Sequence, residues 1–93
     1  MIRTIKRTSQ FKKDVKLMLR QGKKLEPLLA VVEMLQNDIP LPPELKDHAL
    51  VGNWLGKREC HIEPDWLLIY EKTDSVLLLT LIRTGTHSGI LGL

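Results

Sequence analysis

The stretch WLGKRECHIEPDWLLIYEKTDSVLLLTLIR, residues 54–83, decides the fold. It contains three runs, at 54–62, 66–71 and 76–83, separated by short polar segments. The second and third runs are apolar enough to be central strands of a sheet, and the first alternates between polar and apolar positions. Because both connecting segments are short enough for hairpin turns, we predict three consecutive antiparallel strands.

The residues before this stretch predict a strand followed by a helix. The strand fits residues 2–7, Thr8 or Ser9 can cap the helix, and Gly22 can end it. At 100° per residue the helix has an apolar stripe, which should face the core, and a basic stripe beside it, which should face outward. The apolar stripe comprises Phe11, Val15, Met18 and Leu19. The basic stripe comprises Lys12, Lys13, Lys16 and Arg20.

A second helix fits residues 25–37, because Pro27 falls in its first turn, where a missing N–H has no partner anyway. This helix is apolar nearly all round, so it should be buried on more than one side. Residues 38–53 are rich in proline, and we expect a loop without regular structure that carries His48.

The complete pattern is that of one α+β domain covering residues 1–93, since a chain of this length is too short for two independent cores. An N-terminal strand and two helices should pack on an antiparallel β-sheet. Residues 87–92 can add a short C-terminal helical turn.

Charge is distributed unevenly along the chain. Residues 1–24 hold nine basic side chains against one acid, whereas residues 25–93 carry a net charge of −5. A basic end of this kind suits a polyanion such as RNA, although a solvated, lysine-rich helix would give the same pattern.

No apolar run approaches the roughly 20 residues that span a bilayer, so no membrane association is expected. The N-terminus carries charges where a signal peptide needs an apolar stretch. The single cysteine, Cys60, excludes an internal disulfide. We therefore expect a cytoplasmic protein.

Three histidines, His48, His61 and His87, each lie beside a predicted turn or loop. RNA can be cut without metal when its own 2′-hydroxyl attacks the neighbouring phosphate, which requires a base, an acid and a cation near the phosphorane. Histidine suits the first two roles, because its ordinary pKa near 6.5 makes both protonation states accessible at neutral pH. Arginine suits the third, and Arg83 is our candidate for it.

Taken singly, each of these residues has a more ordinary interpretation. His48 could be a solvated loop residue, His87 could cap a turn, and Trp66 is more often a core side chain than a platform for stacked bases. For His61, a buried position in the core is less expected, since it shares parity with Lys57 and Glu59 and so lies on the polar face of its strand.

Histidine and cysteine can also bind metals. Cys60 and His61 are adjacent on a strand and should point to opposite faces, and neither C-x-x-C nor H-x-x-x-H spacing occurs. A phosphate-binding glycine loop and a serine nucleophile elbow are absent from the sequence as well. We therefore expect no metal site and no other cofactor.

Several motifs together resemble the YafQ-type toxins of the RelE superfamily. The most specific are His-x-Glu-Pro-Asp-Trp at 61–66 and Arg-Thr-Gly-Thr-His at 83–87, joined by Lys-Asp-His at 46–48 and Gly-Asn-Trp at 52–54. The resemblance extends over nearly the whole chain and implies a RelE-like fold.

Members of that family are toxins of type II toxin–antitoxin pairs that enter the A site of the 70S ribosome and cleave translated mRNA without metal. The resemblance implies a cognate antitoxin similar to DinJ or RelB. It also implies that His48, His61, Asp65 and His87 form the catalytic set, with His87 as general acid and His48 or His61 as general base.

The other implied roles concern RNA. Trp66 would support the site or contact RNA, and Lys46 together with the basic stripe of the first helix would bind ribosomal RNA. Leu91 stands where family members usually have an aromatic side chain that stacks on mRNA. That departure favours a second hypothesis, a non-catalytic RNA- or ribosome-binding module with the same fold. A metal-dependent hydrolase is a third.

Overall fold

The structure, a computed structural model, describes residues 2–91, and of Leu91 it describes the backbone alone. The role implied for the Leu91 side chain therefore lies outside the described part. The elements in chain order are β1 (Thr4–Arg7), α1 (Ser9–Arg20), α2 (Glu26–Gln36), β2 (His48–Ala49), β3 (Arg58–Glu63), β4 (Trp66–Thr73), β5 (Leu78–Gly85) and α3 (His87–Leu91).

The strands form a five-stranded sheet in the order β1-β5-β4-β3-β2. Strands β3, β4 and β5 are antiparallel neighbours joined by tight turns, which confirms the predicted meander and the α+β class. The sheet is mixed, because β1 pairs with β5 in parallel, with Thr4 opposite Leu78. This one parallel pair brings the N-terminal strand beside the last strand.

The first helix begins as predicted, with the Thr8 hydroxyl accepting a hydrogen bond from the Phe11 N–H at 3.0 Å. Its buried face differs from the prediction, since Phe11, Asp14 and Met18 are buried whereas Leu19 is 46% exposed. The reason is Asp14, whose carboxylate binds Arg83 and Thr84 of β5. This side of the helix therefore faces the sheet, and Leu19 faces solvent.

The second helix buries one side only, through Leu28, Val31, Val32 and Leu35. Burial on more than one side was a wrong expectation, because Leu29 remains 54% exposed. An open apolar groove of about 280 Å³ lies between this helix, α1 and the sheet. Its lining comprises Ile5, Arg7, Phe11, Val15, Leu25, Leu28, Leu29, Val32 and Leu81.

The proline-rich segment is more regular than predicted. It contains two single-turn 3-10 helices, at Pro43–Leu45 and Gly52–Trp54, and between them β2 pairs with β3. His48 therefore lies on an edge strand, directly opposite Glu59, and not in an irregular loop. Within residues 2–91, no helix is both long and apolar enough to cross a membrane.

Candidate active site

Strand β3 has two chemically different faces. Cys60 and Ile62 pack in the core with residues of α1 and α2, so alternation places Glu59 and His61 on the opposite face of the sheet. Cys60 and His61 thus point apart, as the sequence predicted. Burial raises the pKa of the Cys60 thiol to about 12, which keeps it protonated and unreactive at neutral pH.

Three imidazoles converge on that second face, although they are scattered in sequence. The rings of His48 and His61 lie 6.5 Å apart between centroids, and those of His61 and His87 lie 5.5 Å apart. Strand β2 supplies the first ring, β3 supplies the central one, and the first residue of α3 supplies the third. One nucleotide could therefore be within reach of all three side chains.

A buried carboxylate lies among these rings. The Glu59 side chain is only 5% exposed, and its Oε1 atom is 3.6 Å from Nε2 of both His48 and His61. Its other oxygen, Oε2, is buried and has no hydrogen-bond partner among the residues that the structure describes. Sequence reasoning did not single out Glu59, although its parity with His61 in the alternating run was a usable signal.

A short hydrogen bond orients His48. Its Nδ1 atom lies 2.6 Å from the carbonyl oxygen of Lys46, a residue held in the left-handed conformation at φ +50°. A carbonyl can only accept, so Nδ1 must carry a hydrogen and donate it. Nε2 is therefore the nitrogen that can exchange a proton, and the side chain that carries it is 49% exposed.

Asp65 orients His87 in the same manner. One carboxylate oxygen, Oδ1, lies 3.1 Å from the ring Nδ1 and accepts a further hydrogen bond of 3.3 Å from the backbone N–H of His87. These two hydrogen bonds lower the pKa of Asp65 below its ordinary value. An ionised carboxylate can only accept, so Nδ1 of His87 donates and Nε2 is left free.

Arg83, the candidate for stabilising the phosphate, is held by an ion pair. Its guanidinium binds Asp14 of α1, with Nε 2.7 Å and Nη2 3.2 Å from the two carboxylate oxygens. This ion pair raises the pKa of Arg83 above its ordinary value. The same carboxylate accepts a hydrogen bond from the backbone N–H of Thr84. Arg83 therefore joins α1 to β5, and its role at the phosphate stays a prediction.

Trp66 is a core residue, 2% exposed, and its indole N–H donates to the Thr84 hydroxyl at 2.9 Å. Burial leaves it no surface for RNA, so of its two implied roles only support of the site is compatible with the structure. Lys23 lies over the ring, with Nζ 5.9 Å from the centroid.

The remaining predicted RNA-binding side chains are all exposed, and they fall in two places. Lys46 is adjacent to the histidines, through the carbonyl that holds His48. The basic stripe of α1 lies on the helical layer, which packs on the sheet face opposite to Glu59 and His61. It consists of Lys12, Lys13, Lys16 and Arg20.

The geometry permits two kinds of chemistry. Imidazoles with a free Nε2 can transfer protons at neutral pH. The same groups can bind a metal, because Glu59, His61 and His87 each offer one ligand atom and these atoms lie within 4.8 Å of one another. The sequence expectation of no metal site was based on spacing alone, and spacing cannot reveal ligands brought together from β3 and α3.

Comparison with known proteins places this geometry in a family. A family model described as a bacterial toxin of a type II toxin–antitoxin system, YafQ, matches residues 3–92. The mRNA interferase toxin YafQ of Escherichia coli K12 is 45% identical over 91 residues, which are 97% of each chain.

Solved structures agree with the sequence comparison. In the crystal structure of the E. coli DinJ–YafQ toxin–antitoxin complex, a chain 44% identical superposes with a TM-score of 0.89, covering 99% of this chain and 100% of that one. A metal-bound toxin from Helicobacter pylori is 40% identical with a TM-score of 0.89, covering 97% and 99%. This chain belongs to the YafQ family of bacterial type II toxins.

Proposed function

We propose that this chain is an endoribonuclease that enters the A site of the 70S ribosome and cleaves translated mRNA. The observation that carries the proposal is the convergence of His48, His61 and His87 around one buried carboxylate, with centroid separations of 6.5 and 5.5 Å. Relatives 45% identical are named mRNA interferase toxins, which supports the same substrate class.

In the proposed reaction, Nε2 of His48 removes the proton from the 2′-hydroxyl, and the resulting oxygen attacks the adjacent phosphorus. The bond between phosphorus and the 5′-oxygen then breaks, and protonated His87 delivers its Nε2 proton to the leaving oxygen. The products are a 2′,3′-cyclic phosphate and a free 5′-hydroxyl. Asp65 supports this assignment, since its carboxylate accepts the hydrogen bond from Nδ1 of His87 and leaves Nε2 for the leaving oxygen.

His61 can share with Arg83 the role of stabilising the phosphorane. It lies between the other two rings and is 17% exposed, with Glu59 3.6 Å from its Nε2. In its protonated form, His61 can stabilise the charge that develops on the phosphorane. Lys46, exposed beside His48, adds a second positive charge near the same phosphate.

Binding to the ribosome would use the basic stripe of α1. Its four cations lie on the helical layer, away from the histidines, so they can contact ribosomal RNA while mRNA occupies the other face of the sheet. A chain that acts on translating ribosomes works in the cytoplasm.

We also propose an antitoxin similar to DinJ as the occupant of the apolar groove beside α2. Leu29 is 54% exposed at this groove, and Arg7 lines its edge, so an amphipathic segment with acidic flanks would be complementary. Leu29→Lys should weaken antitoxin binding at least tenfold in a titration. Val76→Lys is the matched control, because Val76 is also exposed, at 68%, but lies in the β4–β5 turn. Equal losses in both variants would place the antitoxin elsewhere.

The decisive experiment is translation of a defined message with purified ribosomes and purified protein, followed by mapping of the cut ends. Wild-type protein should cut, and His87→Ala should reduce the rate by about 10²–10⁴-fold while its thermal unfolding stays unchanged. Cleavage should continue in a chelator, which separates this function from a metal-dependent hydrolase. A folded wild-type protein that binds ribosomes and leaves the message whole would instead support the non-catalytic module.

A further inference from the structure

We propose that Asp47 is a positioning residue that holds the short strand β2, and with it His48, in place beside His61. The anchoring part concerns the geometry alone, and its effect on cleavage rests on the proposed function. Asp47 immediately precedes β2, which consists of His48 and Ala49 only. The reaction proposed above makes no use of its carboxylate.

Strand β2 has few other contacts that fix its position. Residues 46–49 are all exposed, so hydrophobic burial contributes little to holding them. The strand lies at the edge of the sheet, and among the strands that the structure describes only β3 pairs with it. The Leu50 N–H continues this pairing with a hydrogen bond of 2.9 Å to the Lys57 carbonyl. A segment with so few buried contacts opens easily unless side chains fix it.

The carboxylate of Asp47 supplies such a fixing point. Its Oδ1 atom accepts a short hydrogen bond from the Tyr70 hydroxyl and a second one, of 3.2 Å, from Nε of Arg58. The two donors are opposite each other in register, on β4 and β3. Tyr70 is 1% exposed and belongs to the core, so its hydroxyl is held firmly by the sheet. We call these two hydrogen bonds the anchor.

Both donors of the anchor keep their protons at neutral pH. Burial raises the pKa of Tyr70 above its ordinary value, and the hydrogen bond to Asp47 raises it further. The same carboxylate raises the pKa of Arg58 above its ordinary value. Neither donor is therefore lost by ionisation in the pH range in which histidine transfers protons.

The anchor and the imidazole of His48 use opposite faces of the sheet. Tyr70 reaches Asp47 from the core face. His48 lies on the other face, where its ring centroid is 6.5 Å from that of His61. Successive residues of a strand alternate in direction, so a hold on Asp47 leaves the next side chain free to face RNA. The anchor thus places the backbone of β2, while the Lys46 carbonyl orients the ring.

Loss of the anchor would leave fewer molecules with the general base in place at any moment. The maximal cleavage rate should fall in proportion, because proton transfer requires a positioned base. The message concentration that gives half of the maximal rate should change little, since Asp47 faces the core side and not the RNA. A change in rate without a change in binding is therefore the expected signature.

Hydrogen exchange of the Leu50 amide measures the anchor independently of cleavage. Tyr70→Phe deletes one hydroxyl and keeps the ring in the core, and we expect it to speed this exchange about tenfold. Asp47→Ala should have at least the same effect. Glu44→Ala is the matched control, because it removes an exposed carboxylate three residues away in the same segment. Amides of β4 report the global stability of each variant, so a local change can be told from a general one.

Leu50 exchange at the wild-type rate in both Tyr70→Phe and Asp47→Ala would overturn the anchor. An increase shared equally by the amides of β4 would overturn it as well, because the effect would then be a loss of global stability.

The second arm measures message cleavage by the same variants at saturating message. Asp47→Ala should lower the maximal rate about tenfold, and Asp47→Asn, whose amide oxygen still accepts, should recover most of it. In a His48→Ala background, adding Asp47→Ala should change the residual rate little, because Asp47 acts through His48. Equal losses with and without His48 would overturn the positioning role. If the wild type cuts nothing under any condition, the proposed function fails while hydrogen exchange still decides the anchor.

Discussion

Oδ1 of Asp65 accepts two hydrogen bonds from one residue, His87: the ring Nδ1–H at 3.1 Å and the backbone N–H at 3.3 Å. The carboxylate therefore fixes both the start of α3 and the tautomer of the imidazole. Because Asp65 belongs to the β3–β4 turn, this single oxygen also ties α3 to the sheet that carries His61.

Asp65→Asn should reduce message cleavage on the order of tenfold or more, and less than His87→Ala does. The amide oxygen can still accept the hydrogen bond from the ring, but the negative charge of the carboxylate beside Nδ1 of His87 is lost. Glu33→Gln, an exposed carboxylate on α2, is the control, and an Asp65→Asn rate equal to the wild type at all pH values would contradict the role.

Asp14→Ala should lower the free energy of unfolding by about 2–4 kcal/mol. This is somewhat less than the usual cost of breaking a fully buried ion pair, because 24% of the Arg83 side chain is exposed. The substitution leaves the guanidinium without its partner and the Thr84 N–H without an acceptor. Urea denaturation measures the change. Asp14→Asn, which keeps an acceptor, should lose less, and equal losses would argue against a role for the charge.

Asp38 should make stability depend on pH in the acid range. Its Oδ1 atom accepts hydrogen bonds from Arg3 at 2.8 Å and Lys72 at 3.1 Å, and these lower the pKa of Asp38 below its ordinary value. A lowered folded-state pKa contributes stability above the unfolded value near 4, and that contribution is lost as pH falls through the folded-state pKa.

Asp38→Asn should accordingly be less stable than the wild type at pH 7, and the difference should shrink as the pH falls through the folded-state pKa of Asp38. Urea denaturation across this range, with Glu33→Gln as control, is the measurement. A difference that stays constant with pH would show that the carboxylate charge is not involved.

Lys12→Glu combined with Lys16→Glu should weaken ribosome association and reduce its salt dependence by about 1–2 units of the log–log slope. Lys6→Glu combined with Lys24→Glu is the matched control, because it changes the net charge equally and leaves the α1 stripe intact. If both double variants lose the same affinity, total charge and not the stripe determines binding.

Local patterns in the sequence predicted the fold well, because periods of two and 3.6 residues decide which elements form. The three-strand meander, the Thr8 cap and the terminal helix at His87 were all accessible in this way. The buried face of α1 could not be predicted in this way, since Asp14 faces inward toward Arg83, 69 residues away. An ion pair between residues so far apart produces no periodic pattern in the sequence.

In the candidate site, too, local patterns were predictable from the sequence and distant contacts were not. Alternation placed His61 on the polar face of β3, and the same alternation would have placed Glu59 beside it. The position of His48 depends on the pairing of β2 with β3, which puts it opposite Glu59. The proline-rich sequence around His48 did not predict a strand there. The contacts of Trp66 with Thr84 and of Arg83 with Asp14 join residues far apart in sequence, so the sequence could not predict them.

The parallel pairing of β1 with β5 has a consequence for folding. β1 lies at the sheet edge, so Thr4–Arg7 can join the sheet only through Leu78–Gly85, a strand that comes much later in the chain. Closing so long a loop costs chain entropy before the pairing repays it, so this pairing should slow the folding of the domain. His87 follows β5 directly, so the three histidines come together only when that strand is in place.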